Sequence, residues 1–114
     1  MITRWYSYDR RRCTVQFRWS TGKEVLTAFT DELPDLNKKR LYVRSLAIAG
    51  AFTDWEPQRF VLNAEGVFIK SFSLVCGVRY EFRYLLNEKY WFSGGEGDGS
   101  ITYSKDNINA YIDL

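Results

Sequence analysis

Alternation of apolar and polar residues organises most of this chain. In Cys13-Thr14-Val15-Gln16-Phe17-Arg18-Trp19 the odd positions are apolar and the even ones polar, which is the period of a strand with one buried face. Leu46, Ile48, Gly50 and Phe52 share one face of a second run, and Ser45, Ala47, Ala49 and Ala51 share the other. Side chains that small leave room for a neighbouring element or a flat exposed face. A third run, 66–75, follows a turn at Asn63–Gly66 and stops at Cys76-Gly77. Val78 to Leu86 begins at once, so the two runs predict an antiparallel hairpin. In the later run Tyr80, Phe82, Tyr84 and Leu86 point one way, and Arg79, Glu81, Arg83 and Leu85 the other. Asn87-Glu88 turns the chain into a short strand, 89–92. Ser93 to Ser100 holds four glycines in eight residues, too many for a regular element. A last strand, 108–114, sets Ile108, Ala110, Ile112 and Leu114 against Asn109, Tyr111 and Asp113.

Residues 20–40 break this rhythm. Thr21-Gly22 reads as a turn, 24–29 fits a short helix or a strand, and 31–37 is loop chemistry around Pro34. No repeat and no linker divides the chain, so its 114 residues form one domain, 1–114. Short, closely spaced strands with turn signals predict an all-β sandwich.

Composition narrows the function. Aromatic residues make up 18% of the chain, which favours β structure and ring-lined surfaces. No apolar run approaches the roughly 20 residues that span a bilayer, so no membrane partner is expected. Met1 to Arg12 lacks the apolar middle of a signal peptide, and the expected compartment is cytoplasmic. Histidine is absent, which removes Ser-His-Asp and Cys-His nucleophile systems and imidazole ligands for zinc. Cys13 and Cys76 lie in separate runs and are too few for a structural zinc site. They read as reduced, buried thiols acting as small apolar residues, with a disulfide between neighbouring strands as the alternative. No metal and no cofactor are therefore expected. No two carboxylates sit in a motif that would flank a glycosidic bond, so the chain is expected not to be an enzyme. A net charge of +2 is too small to point to nucleic acid. Arg10-Arg11-Arg12 and Lys38-Lys39-Arg40 read as solvated charge; weak nucleic-acid contact through them and Trp5, Tyr6 and Tyr8 is a minor alternative. Trp5 and Trp19 read as core or N-terminal packing.

Trp55 stands apart. It sits between Asp54 and Glu56, with Pro57 next. A large ring in a polar turn is not buried on all sides, and half-exposed indoles tend to serve recognition. A flat apolar surface edged by polar groups suits a sugar. The competing reading is a ring that plugs the edge of the core.

The order of motifs around Trp55 resembles a known family. Leu46-Ala-Ile-Ala-Gly50-Ala-Phe52-Thr-Asp-Trp55 is similar to the V-x-L-x-G-x-F-N-x-W opening of the family 48 carbohydrate-binding modules, the isoamylase early-set or glycogen-binding domains. Gly66-Val67-Phe68 resembles their G-x-F turn. Leu74-Val-Cys-Gly77-Val-Arg-Tyr80-Glu-Phe82-Arg83-Tyr84 resembles L-x-x-G-x-x-Y-x-Y-K-F. Asn87-Glu88-Lys89-Tyr90-Trp91 resembles D-G-x-W, and Asp106-Asn107 resembles the N-N before the last strand. The resemblance covers about residues 41–114, with 13–19 as a first strand and 20–40 as an insertion foreign to the family.

The resemblance implies an immunoglobulin-like, early-set sandwich of about seven antiparallel strands that binds α-1,4-glucan, such as glycogen, starch or a maltooligosaccharide, on one face. It implies platform rings at Trp55 and Trp91, a hydroxyl-binding cation at Arg83, a hydroxyl-binding amide at Asn107 and a projecting loop residue near Tyr103. One extra residue in the Asn87-Glu88 turn leaves Tyr90 and Trp91 both open as the second platform. The residues agree in part: Arg83 lies opposite the Tyr80/Phe82/Tyr84 stripe, and a guanidinium offers several fixed donors to vicinal hydroxyls. The expected partners are an α-glucan and, beyond it, a glycogen-metabolising enzyme. The alternative is a protein–protein interaction module of the same fold that has lost the sugar.

Overall fold

The structure is a computed structural model that describes residues 1–20, 23–32 and 42–114. The expected turn at Thr21-Gly22, the Pro34 loop and the Lys38-Lys39-Arg40 cluster lie outside the described residues. Ten strands and one helix follow in the order β1 (Ile2–Tyr6), β2 (Arg12–Ser20), α1 (Lys23–Glu32), β3 (Leu46–Gly50), β4 (Gln58–Arg59), β5 (Val61–Leu62), β6 (Val67–Val75), β7 (Arg79–Leu86), β8 (Tyr90–Phe92), β9 (Gly99–Ser104) and β10 (Asn107–Asp113). The strands not marked in the sequence are β1, the two-residue β4 and β5, and β9, whose Gly99 and Ser100 fall in the segment expected to be irregular. All pairings are antiparallel. They build a four-stranded sheet, β1-β2-β6-β5, and a six-stranded sheet, β4-β3-β7-β10-β9, with β8 added beside β7. The two sheets form a β-sandwich.

The alternating stripes fill the space between the sheets. Cys13, Val15, Phe17 and Trp19 from β2 and Phe68 and Leu74 from β6 meet Leu46 and Ile48 from β3, Phe82, Tyr84 and Leu86 from β7, and Ala110 and Ile112 from β10. Phe17 packs edge-on to Phe82 at 5.2 Å and to Tyr84 at 6.3 Å, the arrangement that aromatic quadrupoles favour.

One expectation fails here. β6 and β7 do not form a hairpin, because each is already paired along its length elsewhere. β6 takes β2 as its partner from Arg12↔Val75 to Ser20↔Val67. β7 is flanked by β3 on one side and by β10 and β8 on the other. The turn at Cys76-Gly77 therefore carries the chain from one sheet to the other, with Gly77 at φ +82° and the Tyr80 hydroxyl donating to the Val75 carbonyl across it. A hairpin would put the β6 and β7 stripes on one sheet; the crossover lets them face each other.

Residues 24–29, open between helix and strand from sequence, are helical. Val25 and Phe29, one turn apart, are both fully buried, so α1 belongs to the core rather than decorating it. Phe29 lies 5.7 Å from Phe92 and 5.4 Å from Tyr90. The Glu32 carboxylate accepts from the Ser93 amide, the Ser93 hydroxyl and the Gly94 amide. That ties the helix to the glycine-rich segment, which is irregular from Ser93 to Asp98 as expected and then enters β9. Trp19 is buried as expected, whereas Trp5, expected to pack, is 51% exposed: its partner in register is Thr14, on the outward side of β2. Both cysteines are free thiols; Cys13 is buried as expected, whereas Cys76, expected to be buried, is only partly so. No helix among the described residues is long and apolar enough to cross a membrane.

Candidate functional site

The site is built on the outward face of the six-stranded sheet. Its first part is the turn after β3. Gly50 is extended, at φ −167°, so the left-handed region is not what requires glycine there. The reason is close approach: a Cβ would stand 2.6 Å from the Glu81 carbonyl oxygen and 2.8 Å from the Phe82 Cβ. The Thr53 hydroxyl accepts from the Gly50 amide and donates to the Gly50 carbonyl, and the Trp55 amide donates to the same carbonyl. The turn places Asp54 and Trp55 at φ +53° and +62°. Left-handed backbone at a bulky aromatic costs on the order of 1–3 kcal/mol and concentrates at functional positions. The ring it presents is 42% exposed.

The second part is the β7–β8 hairpin. Asn87 and Glu88 both adopt positive φ, and the Lys89 amide donates to the Leu86 carbonyl. The register separates the two rings. Trp91 pairs with Leu85 on the outward face, whereas Tyr90 pairs with Leu86 on the core face and packs against Phe29. Trp91 is thus the outward ring, 40% exposed. Arg83, two residues from Leu85 and beside Ala49 of β3, sets its guanidinium carbon 5.8 Å from the Trp91 ring centre, within cation–π range. Ala47 and Ala49, expected as a bare or covered flat face, are buried beside Leu85 and Arg83.

The third part lies on β9 and β10. The Tyr103 hydroxyl donates to the Glu81 carboxylate at 2.5 Å, and that bond raises the phenol pKa above its ordinary value. The Asn109 amide nitrogen donates to the same Glu81 oxygen at 3.3 Å. Asn107 opens β10 and is half-buried. Three polar atoms of this face, Arg83 Nε, Asn107 Oδ1 and Asn109 Oδ1, are buried without a hydrogen-bond partner among the described residues. Each such group costs about 1–3 kcal/mol. Further along, Arg79 lies 3.9 Å over the Tyr111 ring and holds Asp113 through two bonds of 2.7 and 3.0 Å.

The structure therefore brings Arg83 and Trp91 into contact and places Tyr103 and Asn107 on the same sheet. Trp55 lies in the turn beyond β3, tied to it by the bond from its amide to the Gly50 carbonyl; among the described residues no ring contact joins it to Trp91 or Tyr103. Glu81 and Asn109 were not anticipated. Their alternation was visible, but their convergence depends on strands 22 and 28 residues apart. Among the described residues no group of three His, Cys, Asp or Glu side chains could hold a metal ion. The face can stack against an apolar plane and exchange hydrogen bonds with neutral polar groups.

These features define a β-sandwich with an aromatic and polar outer sheet. No protein-family model matches the chain, and no curated protein matches it. Among solved structures it is similar to the ferric enterobactin esterase of Salmonella typhimurium, with a TM-score of 0.60 and 12% identity over 99% of this chain. The chain spans 34% of that esterase chain. At this identity the likeness concerns the fold.

Proposed function

We propose that this is a non-catalytic α-glucan-binding module of the immunoglobulin-like, early-set kind, working in the cytoplasm. The observation that carries the reading is the Arg83–Trp91 pair: a half-exposed indole with a guanidinium at 5.8 Å on an otherwise flat sheet. The ring would cover an apolar sugar face while the guanidinium donates to vicinal hydroxyls. Trp55 supplies a second ring, Asn107 an amide and Tyr103 a projecting side chain. Stacking on aromatics contributes about 1–3 kcal/mol per ring, by analogy with bases. That suits weak single contacts strengthened by the repeats of a polymer. Titration with maltoheptaose and retention on glycogen test it, using the wild type, Trp55→Ala and Trp91→Ala. Binding by the wild type that both variants lose is the expected result; equal retention of all three, or none by any, overturns it.

A second reading rests on a different observation. A similar fold forms about a third of a larger esterase chain, which supports a role as a companion domain that packs on an enzyme, here one of glycogen metabolism, with or without the sugar. Co-purification with such an enzyme that survives Trp91→Ala would favour it.

A further inference from the structure

The proposed glucan face contains a polar row that the stacking residues leave unexplained. A carboxylate only accepts hydrogen bonds, so the contact with Glu81 fixes the orientation of the Asn109 amide: nitrogen towards Glu81, oxygen away from it. Asn109 is 7% exposed and its oxygen is unpartnered. Asn107, two residues earlier on the same strand and just before the register shift between Asn107 and Ile108, carries a second unpartnered carbonyl oxygen. Beside them on β7 stands Arg83, with an unpartnered Nε–H. No ion pair joins Arg83 to Glu81 among the described residues.

Tyr103 covers this row. Its hydroxyl reaches Glu81 on β7 from β9, and β10 lies between those strands, so the side chain spans the strand that carries Asn107 and Asn109. Tyr103 is 56% exposed and is anchored at Glu81 by that one hydrogen bond. A hydroxyl that replaces the phenol at Glu81 arrives next to the Asn109 amide.

We propose that Glu81 and Asn109 form a hydroxyl-reading row under Tyr103 that restricts this face to neutral glycans. The inference rests on the glucan reading above. The row offers acceptors at Glu81, Asn107 and Asn109 against one cationic donor at Arg83, so its complement is a set of neutral donors, the hydroxyls of a glucan. A carboxylated or phosphorylated sugar brought to Arg83 also meets the Glu81 carboxylate, which offsets the attraction.

The experiment is calorimetric titration of the full chain with maltoheptaose and with maltoheptaose oxidised to carboxylates at C6. Asn109→Ala is expected to weaken maltoheptaose binding about fivefold to tenfold, the effect of one lost hydrogen bond. Glu81→Gln keeps the shape and removes the charge, so the preference for maltoheptaose over its carboxylated form is expected to fall about tenfold. Because Glu81→Gln is isosteric, a folding defect in Asn109→Ala does not remove the test. Loss of binding in Trp91→Ala, with Asn109→Ala binding as the wild type does and Glu81→Gln discriminating as before, overturns this inference and leaves the glucan reading standing. No maltoheptaose binding by the wild type, or equal binding by the wild type and Trp91→Ala, overturns both.

Discussion

Gly50 runs so close to β7 that a single methyl group on it would stand 2.6 Å from the Glu81 carbonyl oxygen. The contact is with backbone, which cannot rotate aside. Gly50→Ala is therefore expected to destabilise the fold by about 1–3 kcal/mol through overpacking. For a domain near this size each kcal/mol lowers Tm by roughly 4–8 °C. A thermal melt indistinguishable from wild type would contradict this account of the glycine.

Phe29 anchors α1 between Phe92 and Tyr90. Truncating a fully buried phenylalanine costs about 3–5 kcal/mol. Phe29→Ala is expected to lower the unfolding free energy by that amount, moving the denaturant midpoint down accordingly, and to lose helical signal at 222 nm ahead of the main transition. If helix and sheets still unfold together at the wild-type midpoint, α1 is not part of the core.

Trp91 and Tyr90 should separate cleanly. Trp91 faces out, so Trp91→Ala should change stability by less than about 1 kcal/mol. Tyr90 packs inward, so Tyr90→Ala should cost about 1–3 kcal/mol. Urea denaturation of the two variants checks the register, and a larger cost at Trp91 would reverse it.

Two of these outcomes were half-written in the sequence. The period-two stripes of β2 and β7 marked the core residues directly, because a strand's alternation is local. The choice between Tyr90 and Trp91 is open in the sequence, since the two are adjacent and one residue of register exchanges their faces. The crossover after β6 was misread for the same reason: a short glycine turn between two strands fits a hairpin or a change of sheet, and only the partners of each strand decide. Glu81 and Asn109 were out of reach because nothing local in β7 or β10 announces the other. The signature from Gly50 to Trp55 was the most legible part, and its glycine is explained by contact with β7 rather than by the turn it introduces.

Tyr84 is fully buried, and burial raises its phenol pKa far above the ordinary value of 10.0. The folded protein thus keeps a proton that the unfolded chain releases. This contribution is complete below pH 10 and is lost as pH rises above it. Spectrophotometric titration should find at least one of the eight tyrosines ionising only as the protein unfolds. Full ionisation of all eight with native circular dichroism would be inconsistent with this core.

Cys13 is fully buried, and burial, more than the nearby Cys76, pushes its thiol pKa up. Cys76 is half-exposed. A thiol reagent is expected to label Cys76 on the native protein and Cys13 only after denaturation, which peptide mass mapping can resolve. Equal labelling of both in the native state would refute the placement of β2.

The crossover after β6 also bears on how the chain is made. Every strand of the four-stranded sheet lies between residues 2 and 75, so a nascent chain that has emerged as far as Gly77 already contains that sheet entire. What it lacks is the opposite wall, because β7 and β10 have not yet emerged. Phe17, Phe68 and Leu74 then have only α1 and the short β3 beside them in place of the full opposite sheet. Until β7 and β10 follow, this sheet is one-sided, with its apolar face open to water.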